Sequence, residues 1–209
     1  MTKWTHNVIL SIDFLDAFRQ FAAMNDMTRP DSILDAAFQA FASYGYKRTA
    51  MDDIARAAGM SRTALYLHFR SKEDIFRSLG IRYFEQALRD MEAALIRPGQ
   101  TVEQALYACF VAKDGKFMEV VLTTPHGSEL MDAGFAVTVD LAVEAERRTV
   151  DLIARWLDTK GVPPSLAPAS AVAETIVAAL KGLKSGATSL EALRAGEARL
   201  AALIARALA

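Results

Sequence analysis

Residues 49–76 read TAMDDIARAAGMSRTALYLHFRSKEDIF, and this stretch decides the fold. Its apolar positions recur at helical spacing, with Ile54, Ala55 and Ala58 on one short segment and Leu65 and Phe69 on the next. Thr49 followed by Asp52 predicts a capped helix start with Thr49 as N-cap. Gly59 predicts the stop, and Ser61 the cap of a second, two-turn helix. Ser71 with Asp74 opens a third. Two short helices joined by a glycine turn make a helix-turn-helix. Helices of this length are marginal alone in water. Packing through Ile54, Ala58, Met60, Leu65 and Phe69 must therefore hold them.

With Leu65 turned inward, Arg62, Thr63, Tyr66 and Leu67 fall on other faces. A two-turn helix presented this way fits the DNA major groove, which is ~12 Å wide. Thr49, Tyr66, His68 and Lys72 suit phosphate contacts, and Arg62 suits a bidentate contact to guanine. From Lys47 to Lys72 there are six Lys/Arg against two Asp, although the whole chain carries a net charge of -1. Attraction to a polyanion would thus come from a local patch. The same spacing also suits a helical hairpin inside an all-α protein whose charges simply face solvent.

The stretch resembles the DNA-binding region of the TetR family of bacterial transcriptional regulators. The likeness lies in the order and spacing of Thr49, Ile54–Ala55, Ala58–Gly59, Ser61, Leu65–Tyr66, His68–Phe69 and Lys72–Glu73. With the preceding helix it covers Ile33 to Phe76. The resemblance implies that Arg62, Thr63, Ala64, Tyr66 and Leu67 face the groove, and that Thr49, Tyr66, His68 and Lys72 approach the backbone. Ser61 belongs to the same DNA-binding set. Arg62 departs from the pattern, standing where a small residue or glycine is usual, and is the strongest candidate for base reading.

Outward from this unit the chain reads as helix throughout, without alternating strands or internal repeats. The expected fold is all-α: an N-terminal three-helix helix-turn-helix domain plus a C-terminal helical ligand-binding and dimerisation domain. The boundaries read as an N-terminal extension over 1–28, a DNA-binding domain over 29–75 and a helical domain over 76–209. In the extension, Val8, Ile12, Leu15, Phe18 and Ala22 share one helical face. It reads either as an extra helix or as sequence upstream of a start at Met27. Next, Thr28 and Asp31 form a capping pattern, and Ile33, Leu34, Ala37, Phe38 and Phe41 form a stripe that stops at Gly45. The helix opened by Ser71 runs from Lys72 to Ile96. Later helices fall near Val102–Lys113, Lys116–Thr123, Glu129–Lys160, Ala169–Lys184 and Leu190–Leu208, separated by turn residues.

What the family resemblance implies for this second part is a small effector and a two-fold dimer on a roughly palindromic operator. Phe84, Met91, Phe110, Phe117, Met118, Val121, Met131, Phe135 and Trp156 are the candidate effector-contacting residues, and each equally suits ordinary core. No buried charge pair stands out in the sequence, so the effector is expected to be apolar. Val172, Ile176, Leu180 and Leu183, with Leu193, Leu200, Leu203 and Ile204, offer helix faces for a four-helix interface or for burial within one subunit. In VEAERRTVDLIARW, Glu144–Arg148 and Asp151–Arg155 read as solvated i, i+4 pairs. His126 reads as a structural residue of its loop.

The rival readings are an all-α enzyme and a helical interaction module without DNA binding, its N-terminal helix serving as a membrane or partner anchor. The sequence holds no G-x-S-x-G elbow, phosphate loop, H-E-x-x-H or cysteine metal pattern. No cofactor or metal is expected. A single cysteine, Cys109, excludes an internal disulfide and fits a reducing compartment. No apolar run reaches the ~20 residues that cross a bilayer. The expected partners are an operator DNA duplex, an apolar effector and a second copy of the chain, with no membrane, and the expected location is the cytoplasm.

Overall fold

The computed structural model describes residues 29–166 and 168–209, apart from the side chains at 29, 116, 134 and 135. Every regular element among them is helical: α1 (Arg29–Tyr44), α2 (Met51–Ala57), α3 (Arg62–Tyr66), α4 (Lys72–Ile96), α5 (Val102–Thr123), α6 (Gly127–Lys160), α7 (Ala169–Gly186) and α8 (Leu190–Ala207). A 3-10 turn, Pro164–Leu166, precedes α7. The N-terminal stripe from Val8 to Ala22, the proposed cap Thr28 and the side chain of Phe135 lie outside the described residues.

Local signals explain most of the boundaries. Ser61 Oγ accepts from Ala64 N at 3.1 Å and starts α3. Ser71 Oγ accepts from Asp74 N at 3.2 Å and starts α4. The Asp74 carboxylate turns back one residue further than expected, taking Arg70 N at 2.9 Å. Thr101 and Gln104 cap α5 reciprocally. The expected break in α5 is present at Gly115, with φ 51°. A second break, at Thr138 in α6, has no turn residue to announce it.

The N-cap of α2 is not Thr49 but Ala50, whose N–H donates to Asp53 Oδ2 at 2.9 Å. Thr49 is drawn inward, 2% exposed, and its hydroxyl donates to Gly45 O at 2.7 Å. The carbonyls left open at the end of α1 need donors, and a buried threonine supplies one.

Two apolar clusters hold the helices together. The first joins Ile33, Ala37 and Phe41 of α1 to Ile54, Leu65, Phe69, Ile75 and Phe76, and also takes in Val120 of α5 and Leu130 of α6. The second gathers Met91, Leu106, Phe110, Ile153, Trp156, Leu157, Ile176, Leu180 and Ala201. α4 runs through both, with Ile75 and Phe76 in the first and Met91 and Leu95 in the second. Its 25 residues span about 37 Å, so one rigid element connects the helix-turn-helix to the far core.

The leucine stripes of α7 and α8 are mostly consumed inside the subunit. Ile176, Leu180 and Leu193 are buried, and Val172, Leu183, Leu200 and Ile204 pack against the second cluster. Leu203 alone of that set is strongly exposed, at 64%.

Charges reach the interior, against the sequence expectation. Asp35 of α1 is buried and accepts from Arg82 of α4 at 2.6 Å. Glu197 of α8 is fully buried and accepts from Arg194 at 2.8 Å. Asp114, also buried, lies 3.9 Å from both Lys113 Nζ and Lys184 Nζ and faces Glu197. The i, i+4 pairs also differ. Arg147 takes both Glu144 and Asp151, whereas Arg148 crosses to Glu85 of α4. An arginine at i+3 reaches the same carboxylate, and spacing alone does not choose between neighbours.

Candidate nucleic-acid interface

The candidate interface is the outer face of α3 with its flanks. Leu65 is fully buried and Phe69 nearly so, which fixes the rotation of the helix. That rotation leaves Arg62, Thr63, Tyr66, Leu67 and His68 exposed and Ala64 half-buried. Leu67 is 82% exposed, an apolar side chain standing in water beside a basic residue. Ser61 is exposed too; its oxygen holds Ala64 N, and its O–H can still donate outward.

Arg62 does not project freely. Its Nη1 donates to both carboxylate oxygens of Asp52, at 3.0 and 2.9 Å. Its Nη2 lies 3.4 Å from Tyr66 Oη, and the guanidinium sits 5.5 Å from the Tyr66 ring centroid. Asp52, Arg62 and Tyr66 thus form one exposed row from α2 to α3.

Lys72 is half-buried and folded back. Its Nζ donates to Tyr46 O at 2.8 Å and to Lys47 O at 3.3 Å, and stands 4.5 Å from the Tyr46 ring centroid. The turn between α1 and α2 is therefore tied to the first residue of α4. Thr49, buried beneath the same turn, presents no hydroxyl to a phosphate, because its O–H is directed at carbonyl oxygens.

The candidate effector residues do not converge. Met91, Phe110 and Trp156 belong to the second cluster, whereas Phe117 and Val121 pack against the first. Met118 is buried, and Phe84 and Met131 are half-buried. Near the Gly115 break, aromatic rings form a chain: Phe38 to Phe117 at 6.5 Å, Phe117 to Tyr83 at 5.3 Å and Tyr83 to Phe84 at 5.2 Å. The Tyr83 hydroxyl donates to Asp114 O at 2.8 Å. Two surface clefts lie elsewhere. One of about 350 Å³ surrounds the α4–α5 loop beside Trp156, and one of about 500 Å³ is walled by the ion pairs of α4 and α6. Of the effector candidates whose side chains are described, only Trp156 borders either cleft.

Residues 33–79 match the model of the family described as "Bacterial regulatory proteins, tetR family". These residues are a TetR-family helix-turn-helix domain. The chain is 35% identical over 91 residues to the HTH-type transcriptional repressor ComR of Escherichia coli, a match covering 40% of this chain and 43% of that protein. It thus spans less than half the length of the curated relatives it matches first. The fold extends further than the sequence likeness. SmeT, the repressor of the Stenotrophomonas maltophilia multidrug efflux pump SmeDEF, superposes with a TM-score of 0.61 at 22% identity, covering 87% of this chain and 90% of that one. SmeT in complex with triclosan superposes at 0.58 and 20% identity, over 87% of this chain and 91% of that one.

Around the TetR-family domain the structure adds contacts that sequence reasoning missed. Asp52, expected in the cap of α2, instead takes Arg62. Glu129 is not singled out by the sequence, and His126 reads there only as a structural residue of its loop. They sit at the start of α6 and meet the α1–α2 turn some eighty residues away in sequence, where Glu129 Oε1 accepts from Lys47 N and His126 Nε2 lies 3.0 Å from Arg48 Nη2. Cys109 is buried and its thiol is pushed up to about 12 by burial, so it has little thiolate character. Among the described residues no group of three or more His, Cys, Asp or Glu is placed to hold a metal. No helix among them is long and apolar enough to cross a membrane.

Proposed function

We propose that this chain is a ligand-responsive transcriptional regulator, a repressor that binds a roughly palindromic operator as a homodimer. The observation that carries the reading is the outer face of α3: Arg62, Thr63, Tyr66, Leu67 and His68 face solvent while Leu65 beneath them is fully buried. Three exposed side chains on α3 and two just past its end form a surface that suits the major groove. Residues 29–75 form the DNA-binding part and 76–209 the effector and dimerisation part. Arg62 reads a base, Thr63, Ala64 and Leu67 line the groove, and Ser61, Tyr66, His68 and Lys72 approach phosphates. Thr49 is assigned a supporting role below the turn, in keeping with its burial.

The effector is a small molecule with an apolar body, placed at the aromatic chain of Tyr83, Phe84 and Phe117. There the rings lie beside the point where α5 is already broken, at Gly115. The buried Asp114 and Glu197 and the half-buried Lys184 beside it would favour a ligand that also carries one polar group. Binding there would shift α4, and with it the separation of the two recognition helices. The effector must bind the two arrangements with different affinity, since tight binding alone shifts nothing. For the dimer, α7 and α8 expose the small residues Ala178, Gly182, Ala192 and Ala195 as well as Leu203. Small residues allow close helix approach between subunits.

Selection of bound duplexes from a random pool tests the reading, repeated in the presence of candidate ligands. The expected product is a pair of inverted half-sites whose enrichment falls with a cognate ligand. Absence of any enriched sequence would overturn it.

A further inference from the structure

Beyond the apolar contacts with Val120 and Leu130 and the Arg82–Asp35 pair, polar bonds tie the helix-turn-helix to the rest of the molecule at opposite sides of one short turn. On one side α4 continues directly from it, and Lys72 donates to Tyr46 O and Lys47 O. On the other side stands the first turn of α6, where Glu129 Oε1 accepts from Lys47 N. Gly45 lies flat beneath that carboxylate; a Cβ there would come within 2.5 Å of Glu129 Oε2. Arg48 Nη2 meets His126 Nε2 at 3.0 Å, and His126 Nδ1 faces Glu129 Oε2 at 3.9 Å. α6 is itself fixed to α4, because Arg77 donates to Asp140 Oδ1 at 2.8 Å and to Val137 O at 3.1 Å.

Apolar contacts hold two bodies together without fixing a direction. A directional hydrogen bond from a different element fixes the angle between them. We infer that Glu129 is a positioning residue, which sets the angle at which the helix-turn-helix is carried and so the half-site spacing that a dimer accepts. The inference rests on the regulator reading. The bond suits this role. A carboxylate accepting a backbone N–H is a charge-assisted hydrogen bond, and it sits at the first turn of α6, where the helix dipole favours an anion. It also lies at the rim. The core of the domain, from Ile33 through Ile54 to Leu65, does not depend on it. Removing the carboxylate should therefore free the orientation of the domain and leave its own reading of DNA intact.

The test is selection from a random duplex pool with the full chain as wild type, Glu129→Gln and Glu129→Ala. Glutamine keeps an acceptor for Lys47 N, and alanine does not. Wild type and Glu129→Gln are expected to select inverted half-sites at one fixed spacing. Glu129→Ala is expected to select the same half-site with loss of that spacing preference. If Glu129→Ala does not yield folded protein, Glu129→Asp carries the same expectation, since its shorter side chain withdraws from Lys47. An unchanged spacing in the alanine or aspartate variant overturns the inference. So does loss of the half-site itself, which would make Glu129 a support for the fold of the domain. If wild type selects no sequence at all, the regulator reading fails first and takes this inference with it.

Discussion

Asp52 and Arg62 are paired through a single guanidinium nitrogen, Nη1, which lies 3.0 and 2.9 Å from the two carboxylate oxygens. Nη2 instead meets Tyr66 Oη at 3.4 Å, and no bond joins Nε to Asp52. The base-reading candidate is thus held in place by the helix before it. Both groups are more than a third exposed, so solvent screens the pair and it adds little to stability. Exchanging or keeping it on DNA costs little. Arg62→Ala is therefore expected to weaken operator binding by about 1–3 kcal/mol and to relax one position of each half-site. Pool selection reads both. Unchanged preference at every position would remove the assignment.

Leu65 and Leu67 are two residues apart and energetically opposite. Leu65 has no exposed surface and Leu67 is 82% exposed. Leu65→Ala should leave a cavity under α3 and destabilise the protein by about 2–5 kcal/mol. Leu67→Ala should change stability by no more than about 0.5 kcal/mol. Its expected effect is on DNA affinity, through lost apolar contact in the groove. Thermal unfolding alongside a mobility-shift titration separates the two. Equal loss of stability in both variants would mean that α3 is rotated from the position described.

How much of this was legible from the chain follows from where each signal is written. Ser61, Ser71, Gly45 and Leu65 act on neighbours within four residues, so their caps, stop and buried face could be read directly. Thr49 could not. The choice between capping α2 and filling the hole under α1 depends on carbonyls that only the folded turn brings near. The Asp114–Glu197 contact joins α5 to α8, and Glu129 meets Lys47 across the whole of α2 to α5. No local pattern encodes either. The effector candidates fared similarly: hydrophobicity marked Met91, Phe110 and Phe117 as inward, but not which cluster each would join.

Lys72 connects stability to binding. Its ammonium is engaged with two turn carbonyls and with the Tyr46 ring. Lys72→Met keeps the stem and removes the donors. It is expected to lower stability by about 1–2 kcal/mol, from the lost charged hydrogen bonds in a half-buried setting. It should also weaken binding to all duplexes and reduce the salt slope by about one. A salt slope equal to that of wild type would confine Lys72 to the turn.

Gly45 and Gly59 both have positive φ, at 83° and 66°, but differ in what lies above them. A side chain at Gly59 meets open space, whereas one at Gly45 meets the Glu129 carboxylate. Gly59→Ala is expected to cost about 1–2 kcal/mol from backbone strain alone. Gly45→Ala should cost more, and the excess should shrink when Glu129 is also replaced by alanine. Denaturant unfolding of the two single variants and the double variant measures the coupling. An excess that persists without Glu129 would place the clash elsewhere.

Glu197 gives the protein a pH dependence of unusual sign. Burial pushes its pKa up to about 7, and contact with Asp114 adds to the shift, while Arg194 opposes it. Lys113 and Lys184 border Asp114 as well, and Tyr83 adds its hydroxyl from α4. In an unfolded chain the same group loses its proton near 4.5. Between those values the folded protein keeps a proton that the unfolded chain has released, so raising the pH favours unfolding. The stabilisation is complete below 4.5 and lost above about 7. Carboxylates held low by arginines, such as Asp140 at about 2 beside Arg77, act in the opposite sense, but only at more acid pH. Glu197→Gln keeps an acceptor for Arg194 and supplies an N–H donor to Asp114, so it mimics the protonated state at every pH. Wild type should melt at a lower temperature at about pH 8 than at about pH 5, and the variant should lose most of that difference. A variant with the full wild-type pH dependence would show that another group carries the proton, and Asp35, raised by burial against Arg82, would be next to test.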